Sequence, residues 1–419
     1  MKICLSPLNA TSPITTCLAL PCRHVIPQTS VVCKLMERII AADMLDFLTA
    51  NGHINPHQHG FLRKRSTETN LLEALSDWTL TLNSKASRTI AYIDFCKAFD
   101  SVCRNKLLIK LDAYGIKGNL LQLINDFLCN RSQKTRVGSS LSGSVSLSSG
   151  VVQGSCLGPL LFIIYINDLP EMFDTAVVTK MYADDVKLYT NVHCAAGGHQ
   201  LQANLTKLFN WSTIWQLPIS VKKCAVMAIG KNTSQLTTPS LTLGHSSIPA
   251  VESISDLGVT VHRSLTFASH ICNVVRKASV RMNLMFKCFT TRHNHTLIRG
   301  YKVYVRPILE HCSIIWSPYR VKDIKAIETV QRKFTKRLNG LQYKSYADRL
   351  LATNLESLQE RRIKSDLIFA YKILFGYVDI DSRELLVPCL NSHNTRGHAF
   401  KLTVPPARVD ARKFFLATE

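Results

Sequence analysis

Two adjacent aspartates, Asp184 and Asp185, lie at the centre of a segment, residues 177–190, in which apolar and polar residues alternate. Such alternation about a sharp centre predicts a β-hairpin with the acid pair at its tip. Like charges held side by side repel each other unless a cation neutralises them. The pair therefore predicts either a divalent-metal site or, because Asp is common in turns, an ordinary surface turn.

A third carboxylate, Asp94, follows an apolar stretch that predicts a strand over 89–95. Taken alone, Asp94 could simply cap the helix predicted over about 101–113, which Gly115 ends. Hard ions such as Mg²⁺ prefer carboxylate oxygens. Two such ions about 4 Å apart can activate an attacking hydroxyl and stabilise a leaving oxygen in phosphoryl transfer.

Helices and short strands alternate along the rest of the chain. Periodic apolar residues predict further helices over 31–50, from Ser66 through Leu75, and over 159–169, 200–215 and 322–338, with short strands in 135–150 and over 223–229. From about residue 270 the pattern becomes strongly helical and basic. This change predicts a domain boundary near 270.

The charge balance favours a polyanionic partner. Lys and Arg number 51 against 29 Asp and Glu, a net charge of +22, and basic side chains near phosphates displace condensed counterions. A ribosomal-type or membrane-surface protein would share this charge. The longest apolar run, 159–166, is too short for a membrane span of roughly 20 residues. The 14 cysteines show no paired C-x-x-C spacing, which favours a reducing compartment, the cytoplasm or nucleus.

Three motifs in a fixed order strengthen the interpretation of the acid pair as a metal site. Residues 93–102 (IDFCKAFDSV), 153–162 (QGSCLGPLLF) and 181–189 (MYADDVKLY) resemble the catalytic motifs of LINE-type, non-LTR retrotransposon reverse transcriptases. Segments within 301–363, among them VRPILEHC and IETVQRKF, resemble the thumb of the jockey/CR1-like branch of these enzymes. The resemblance implies an RNA-directed DNA polymerase with an RNA template, a DNA primer and deoxynucleoside triphosphates. It assigns two Mg²⁺ ions, or Mn²⁺, to Asp94, Asp184 and Asp185.

The same resemblance assigns roles in substrate binding. Phe99, five residues after Asp94, would lie beneath the incoming sugar and exclude a 2′-hydroxyl; otherwise it is a core residue. Lys223, beside Lys222, could protonate the pyrophosphate leaving group. Residues that would contact the nucleotide or template are, in the loop before 159–169, Gln153 and Gly154, and, near the triphosphate, Arg63 and Arg65.

The resemblance also implies an α+β right-hand polymerase with an antiparallel-sheet palm, split fingers and a helical thumb. We expect an N-terminal extension and fingers in 1–88, the palm with a fingers insertion in 89–230, the palm end and primer-grip region in 231–270, and a basic thumb with a C-terminal extension in 271–419. On the helix over 322–338, basic side chains opposite an apolar face would follow a nucleic-acid backbone.

Two departures from the family pattern favour a truncated copy. The stretch before residue 31 looks disrupted, and an endonuclease domain is not found, so nicking of a target would be supplied elsewhere. The main alternative is therefore an inactive remnant that only binds nucleic acid. A group II intron type of polymerase is a second alternative. A second Tyr-Ala-Asp sequence, at Tyr346 to Asp348, lacks the paired acid, and we assign it no catalytic role.

Overall fold

The protein is built around a four-stranded antiparallel sheet with the strand order β6-β7-β1-β8. The structure, a computed structural model, describes residues 30–190, 196–230, 240–381, 385–388, 401–403 and 406–415. The strands of this sheet are β1 Ser87–Ile93, β6 Val177–Tyr182, β7 Asp185–Thr190 and β8 Ala225–Gly230. The predicted strands over 89–95 and 223–229 and the hairpin over 177–190 are thus the elements of one sheet, and the predicted mixture of helices with an antiparallel sheet is confirmed.

Side chains of β1 alternate between two hydrophobic cores because successive residues of a strand point to opposite faces. Ala91 and Ile93 belong to the first core, whereas Ile90 and Tyr92 belong to the second. The helices that contribute to the first core are α1 Val31–Ala50, α3 Ala98–Ser101, α4 Arg104–Ala113, α5 Gly118–Leu128, α6 Gly158–Ile166 and α7 Ala196–Ile214. The strand is buried on both sides, which explains its continuous apolar sequence.

The second core joins α2, Thr67–Asn83, to the helical C-terminal part of the chain. Ser66 caps α2 in a reciprocal capping box with Thr69, so this helix begins where the Ser-Thr sequence predicts. The helices of the C-terminal part are α8 Ala268–Cys288, α9 Asn294–Tyr304, α10 Arg306–Glu310, α11 Ser313–Trp316, α12 Val321–Lys336, α13 Tyr346–Thr353, α14 Leu358–Leu374 and α15 Asp410–Lys413. The change to a helical pattern predicted near 270 is therefore observed at the start of α8.

The remaining strands in the described ranges form short two-stranded ladders. They pair, in chain order, β2 Ser132–Gln133 with β5 Val145–Ser146, β3 Arg136–Val137 with β4 Ser140–Leu141, β9 Thr242–Leu243 with β10 Ser246–Ser247, β11 Ser253–Asp256 with β12 Val259–His262, and β13 Val387–Pro388 with β14 Leu402–Thr403. A 3₁₀ helix, Leu169–Met172, ends the region of α6. Within the described ranges, no helix combines the length and apolar character that a membrane span requires.

The observed α1 matches the predicted bounds but buries only part of the predicted face. The apolar repeat from Leu35 to Leu48 predicts a core face, and Leu48 is buried, but Leu35 and Ile39 are 60% and 57% exposed. Glu37 and Met44, which lie outside that repeat, are buried with Leu48. A carboxylate within this face is the first sign that α1 has a polar partner in the interior, which is described below.

Candidate active site

Strand pairing brings the three predicted carboxylates together at one end of the sheet. Tyr182 pairs with Asp185, which leaves Ala183 and Asp184 as a two-residue turn between β6 and β7. Ile93 pairs with Val186, so Asp94, the residue after Ile93, reaches the same end of the sheet. Asp94 and Asp185 line one small cleft. The turn and strand end predicted separately from the sequence are thus parts of a single site.

The cleft is unfavourable for negative charge. Burial, followed by the charge of Asp94, raises the pKa of Asp184. Partial burial and the neighbouring carboxylates of Asp184 and Asp256 raise the pKa of Asp185 to about 6, although part of its side chain remains exposed. Carboxylates that repel one another in this way are stabilised by a bound cation.

Lys223 forms an ion pair with Asp94. Its Nζ lies 3.2 Å from Asp94 Oδ1, and its side chain is 66% exposed. The Asp94 backbone is held from both sides, because its carbonyl accepts the Ser220 N–H at 2.8 Å and its N–H donates to the Cys224 sulfur at 3.5 Å. The segment before β8 therefore positions both the acid and its lysine partner.

The donor chemistry of the site suits divalent ions. Carboxylate oxygens are the ligands that Mg²⁺ prefers, and this ion usually keeps waters and substrate phosphates as its other ligands. In the described part of the chain no group of three or more His, Cys, Asp or Glu side chains is already arranged as a metal ligand set.

The aromatic side chain predicted to face the sugar is held rigidly. Phe99 stacks on Phe162 of α6, with ring centroids 4.3 Å apart and an interplanar angle of 19°. Phe61 packs against it in a T-shaped arrangement, with ring centroids 6.2 Å apart. Because Phe99 is only half-buried, part of its side chain remains accessible. A fixed and partly accessible ring can act as a steric barrier.

The loop of the second motif is bound to the first motif. Gln153 donates from Nε2 to Asp100 Oδ1 at 2.8 Å, and the Val151 N–H donates to the Phe99 carbonyl at 2.9 Å. Gly154 has a φ of +79°, a left-handed conformation that favours glycine. Gln153 therefore connects the predicted nucleotide-binding loop to the segment that carries Phe99.

Sequence reasoning missed Glu37, which anchors this loop from the far side. Its Oε2 accepts the N–H groups of Cys156 at 2.5 Å and Leu157 at 3.3 Å, at the start of α6. Amide groups at a helix N-terminus lack partners within the helix, and a carboxylate satisfies them well. The available signal was the position of Glu37 in register with Met44 and Leu48.

Arg63 and Arg65 have partners outside the carboxylate cluster. Arg65 binds the carbonyl oxygens of Pro56 and Gln58 and forms an ion pair with Asp379 at 2.7 Å. Arg63 pairs with Asp46 at 2.6 Å on the surface. Contact with a triphosphate remains a prediction for both residues.

A second group missed from the sequence is the loop that supports the turn between β6 and β7. Gln58, which is 1% exposed, accepts the N–H groups of Ala183 at 2.8 Å and Gly60 at 2.7 Å through Oε1. The main chain of residues 57–59 pairs with Met181 of β6, which is the edge strand of the four-stranded sheet. Ala183 has a φ of +54°, which is unfavourable for a residue with a Cβ atom. Gln58 therefore stabilises a strained turn directly beside Asp184.

Replacing Gln58 by leucine is expected to lower the free energy of unfolding by about 2–4 kcal/mol, because two buried N–H groups lose their acceptor. The turn is expected to shift with it, which would slow any reaction at Asp184. Denaturant unfolding measures the first effect. Gln122→Leu on the exposed surface of α5 is the matched control. Equal stability of the two variants would contradict this role of Gln58.

The affinity of the site for divalent ions is expected to depend on pH. Metal ligands must be deprotonated, and the pKa of Asp185 is about 6. Lowering the pH from 7.5 to 5 should therefore weaken Mn²⁺ binding, measured by electron paramagnetic resonance, by about tenfold. In the metal-free protein the stability depends on pH in the opposite direction. Because the pKa of Asp185 is raised, the folded state binds a proton at a higher pH than the unfolded state does, so the free energy of unfolding increases as the pH falls below 6. A flat binding profile would contradict the prediction.

The fold and site define a mixed helix-and-sheet protein in which an acidic hairpin and a third carboxylate meet at one end of an antiparallel sheet. The sequence profile of the family described as "Reverse transcriptase (RNA-dependent DNA polymerase)" matches residues 22–261. This match covers more than half of the chain, and the chain belongs to this family.

Relatives among well-described proteins agree with the family. The chain is 26% identical over 319 residues to the RNA-directed DNA polymerase from mobile element jockey of Drosophila melanogaster, a match that covers 73% of this chain and 34% of the relative. It is 27% identical over 330 residues to the probable RNA-directed DNA polymerase from transposon BS of the same species, covering 75% and 36%. The resemblance to non-LTR retrotransposon proteins is thus confirmed, and the chain spans about a third of the length of these relatives.

Similarity to solved structures is weak. A telomerase from Candida tropicalis without bound partners matches with a TM-score of 0.42 and 10% identity, over 84% of this chain and 59% of that one. A telomerase from Candida albicans in complex with an RNA fragment matches with a TM-score of 0.39 and 11% identity, over 78% and 57%. Such similarity supports no conclusion about the site.

Proposed function

We propose that this chain is the polymerase core of a non-LTR retrotransposon reverse transcriptase and extends a DNA primer on an RNA template. The observation that carries the proposal is the convergence of Asp94, Asp184 and Asp185 at one end of the sheet. In this proposal the sheet is the palm, the helices from α8 onward form the thumb, and residues 1–88 contribute to the fingers.

The proposed reaction joins the primer 3′-hydroxyl to the α-phosphate of a deoxynucleoside triphosphate, with release of pyrophosphate. Two Mg²⁺ ions, or Mn²⁺, would activate the hydroxyl and neutralise charge on the phosphates. Asp94 and Asp184 would hold both ions, and Asp185 would assist. The exposed Lys223 can turn from Asp94 to the leaving phosphate and donate a proton.

Residues around the cleft would select the nucleotide. The half-buried ring of Phe99, fixed by Phe162, would exclude a 2′-hydroxyl from the position of the sugar. Gln153 and Gly154 would contact the incoming nucleotide or its template partner, because their loop is bound to the segment of Phe99. Both assignments rest on the family resemblance together with this packing.

A basic groove beside the site suits the template–primer duplex. It has a volume of about 760 Å³ and extends along α8, with Arg276, Lys277 and Arg281 among apolar side chains. At its end next to the cleft lie Gly258 and His311. Basic groups bind the phosphates, and apolar groups can pack on sugars. We therefore place the duplex on α8 in addition to the basic face predicted on α12.

Primer extension tests the proposal. The purified chain should extend a labelled DNA primer on an RNA template when deoxynucleotides and Mg²⁺ are present, and chelation should stop the reaction. Binding of the same duplex is measured in parallel by fluorescence anisotropy. A chain that binds the duplex but adds no nucleotide would favour the alternative of an inactive nucleic-acid-binding remnant.

A further inference from the structure

A buried ion pair lies near the β6–β7 turn, and its lysine follows Asp185 by two residues. Lys187 of β7 places its Nζ 2.7 Å from Asp256 Oδ2 at the end of β11, and the two side chains are 2% and 4% exposed. Removing two charges from water is costly, and apolar residues of similar volume often stabilise a core as well or better. Stability alone therefore gives a poor account of why a lysine stands in this strand.

The pair connects β7, the catalytic strand that begins at Asp185, to the tip of the β11–β12 hairpin. Ser255, Asp256 and Leu257 form one wall of the cleft that also contains Asp94 and Asp185. The turn after Asp256 is held from the other side, since the Leu257 carbonyl lies 3.1 Å from His311 Nε2. The hairpin tip is thus fixed between the catalytic strand and the helical part of the chain.

The position of the tip gives the pair a consequence for the substrate. Gly258, at the tip, also lines the basic groove along α8. If the duplex lies in that groove, as proposed, the primer strand would cross the tip before its 3′ end reaches the carboxylates. A shift of the tip would therefore displace the reacting hydroxyl.

Charge balance in the cleft points the same way. Asp256 lines the same cleft as Asp94 and Asp185, and Lys187 holds its carboxylate at 2.7 Å. Without Lys187, Asp256 would be an additional negative group facing the metal-binding acids. Pairing with lysine allows the hairpin to approach the site without adding net charge to it.

We infer that the Lys187–Asp256 ion pair is a positioning device that fixes the β11–β12 tip against the catalytic strand and so places the primer terminus. The inference rests on the proposed function. It assigns no contact with the reacting atoms to either residue. It separates primer placement from nucleotide selection, which the proposed function assigns to Phe99 and Gln153.

The test compares Lys187→Met, Asp256→Leu and the double variant by steady-state primer extension and thermal unfolding. Each single variant leaves a buried charge without its partner and should lose stability, whereas the double variant should regain most of it. The double variant should nevertheless keep kcat/KM for the template–primer at least about tenfold below wild type, with KM for the deoxynucleotide unchanged. A purely structural pair would instead recover activity together with stability.

A surface pair provides the matched control. Lys207 and Asp174 are also 2.6 Å apart but are 41% and 45% exposed, so Lys207→Met should leave both KM values unchanged. If the double variant does not fold, Asp256→Asn retains the shape of the side chain and should raise KM for the template–primer by about threefold or more.

The outcomes separate the inference from the proposed function. An active wild type with wild-type kcat/KM in the double variant, or in a folded Asp256→Asn variant, would overturn the inference alone. An inactive wild type would overturn the proposed function and the inference with it.

Discussion

Replacing Asp184 by alanine is expected to reduce primer extension by roughly a thousandfold or more. The variant loses a carboxylate from the turn at which Asp94 and Asp185 converge. Metal ions that lose a ligand lose several kcal/mol of transition-state stabilisation, and about 4 kcal/mol corresponds to this factor. Single-nucleotide incorporation under saturating Mg²⁺ measures the effect, and duplex binding should change little.

The chain contains its own control for this experiment. Asp348 lies in a second Tyr-Ala-Asp sequence, in the exposed first turn of α13, where its N–H donates to the capping Ser345 hydroxyl and its carboxylate accepts from that hydroxyl. Asp348→Ala should leave incorporation unchanged and lower stability by about 1 kcal/mol at most. Equal incorporation by the wild type and the Asp184→Ala variant would show that the observed polymerisation does not depend on this site.

Replacing Phe99 by valine is expected to relax discrimination against ribonucleotides by roughly a hundredfold. The smaller side chain removes the part of the ring that would meet a 2′-hydroxyl, and a steric penalty of about 3 kcal/mol corresponds to this factor. The ratio of kcat/KM for deoxy- and ribonucleotides of the same base measures the effect.

Deoxynucleotide incorporation is the internal control for Phe99→Val. It should fall only moderately, because Phe162 and Phe61 remain to pack around the smaller side chain. An active variant with an unchanged ratio would remove the selective role from Phe99. Phe99 would then be interpreted as a core aromatic residue at the start of a helix.

The sequence predicted the site better than it predicted the support of the site. Local strand and hairpin patterns indicated Asp94, Asp184 and Asp185 only as separate candidates, and the resemblance of three motifs predicted that they form one site. Pairing of β1 with β7 brings them to one end of the sheet. Gln58 and Glu37 could not be recognised in the same way. Their partners Ala183 and Cys156 are 125 and 119 residues distant along the chain, and periodicity contains no information about such contacts.

Helix faces show the same limit. The apolar repeat of α1 predicted its bounds. The burial of Glu37 instead depends on the backbone N–H groups of Cys156 and Leu157, which donate to its carboxylate. The basic residues of α12 were recognised because helical periodicity places them opposite an apolar face. Those along α8 form a groove only when Gly258 and His311 lie beside them. Assignment of roles to charged surfaces therefore required the tertiary structure.

The identity of residue 60 indicates whether a related gene copy can still hold the acidic turn in place. A Cβ atom at this position would lie 2.5 Å from the Ala183 nitrogen, so any other residue would push the supporting loop away from the turn. A copy could thus retain all three aspartates and yet hold one of them in the wrong place. When related genomic copies are sorted into functional and decayed ones, residue 60 should be read together with the acidic motif.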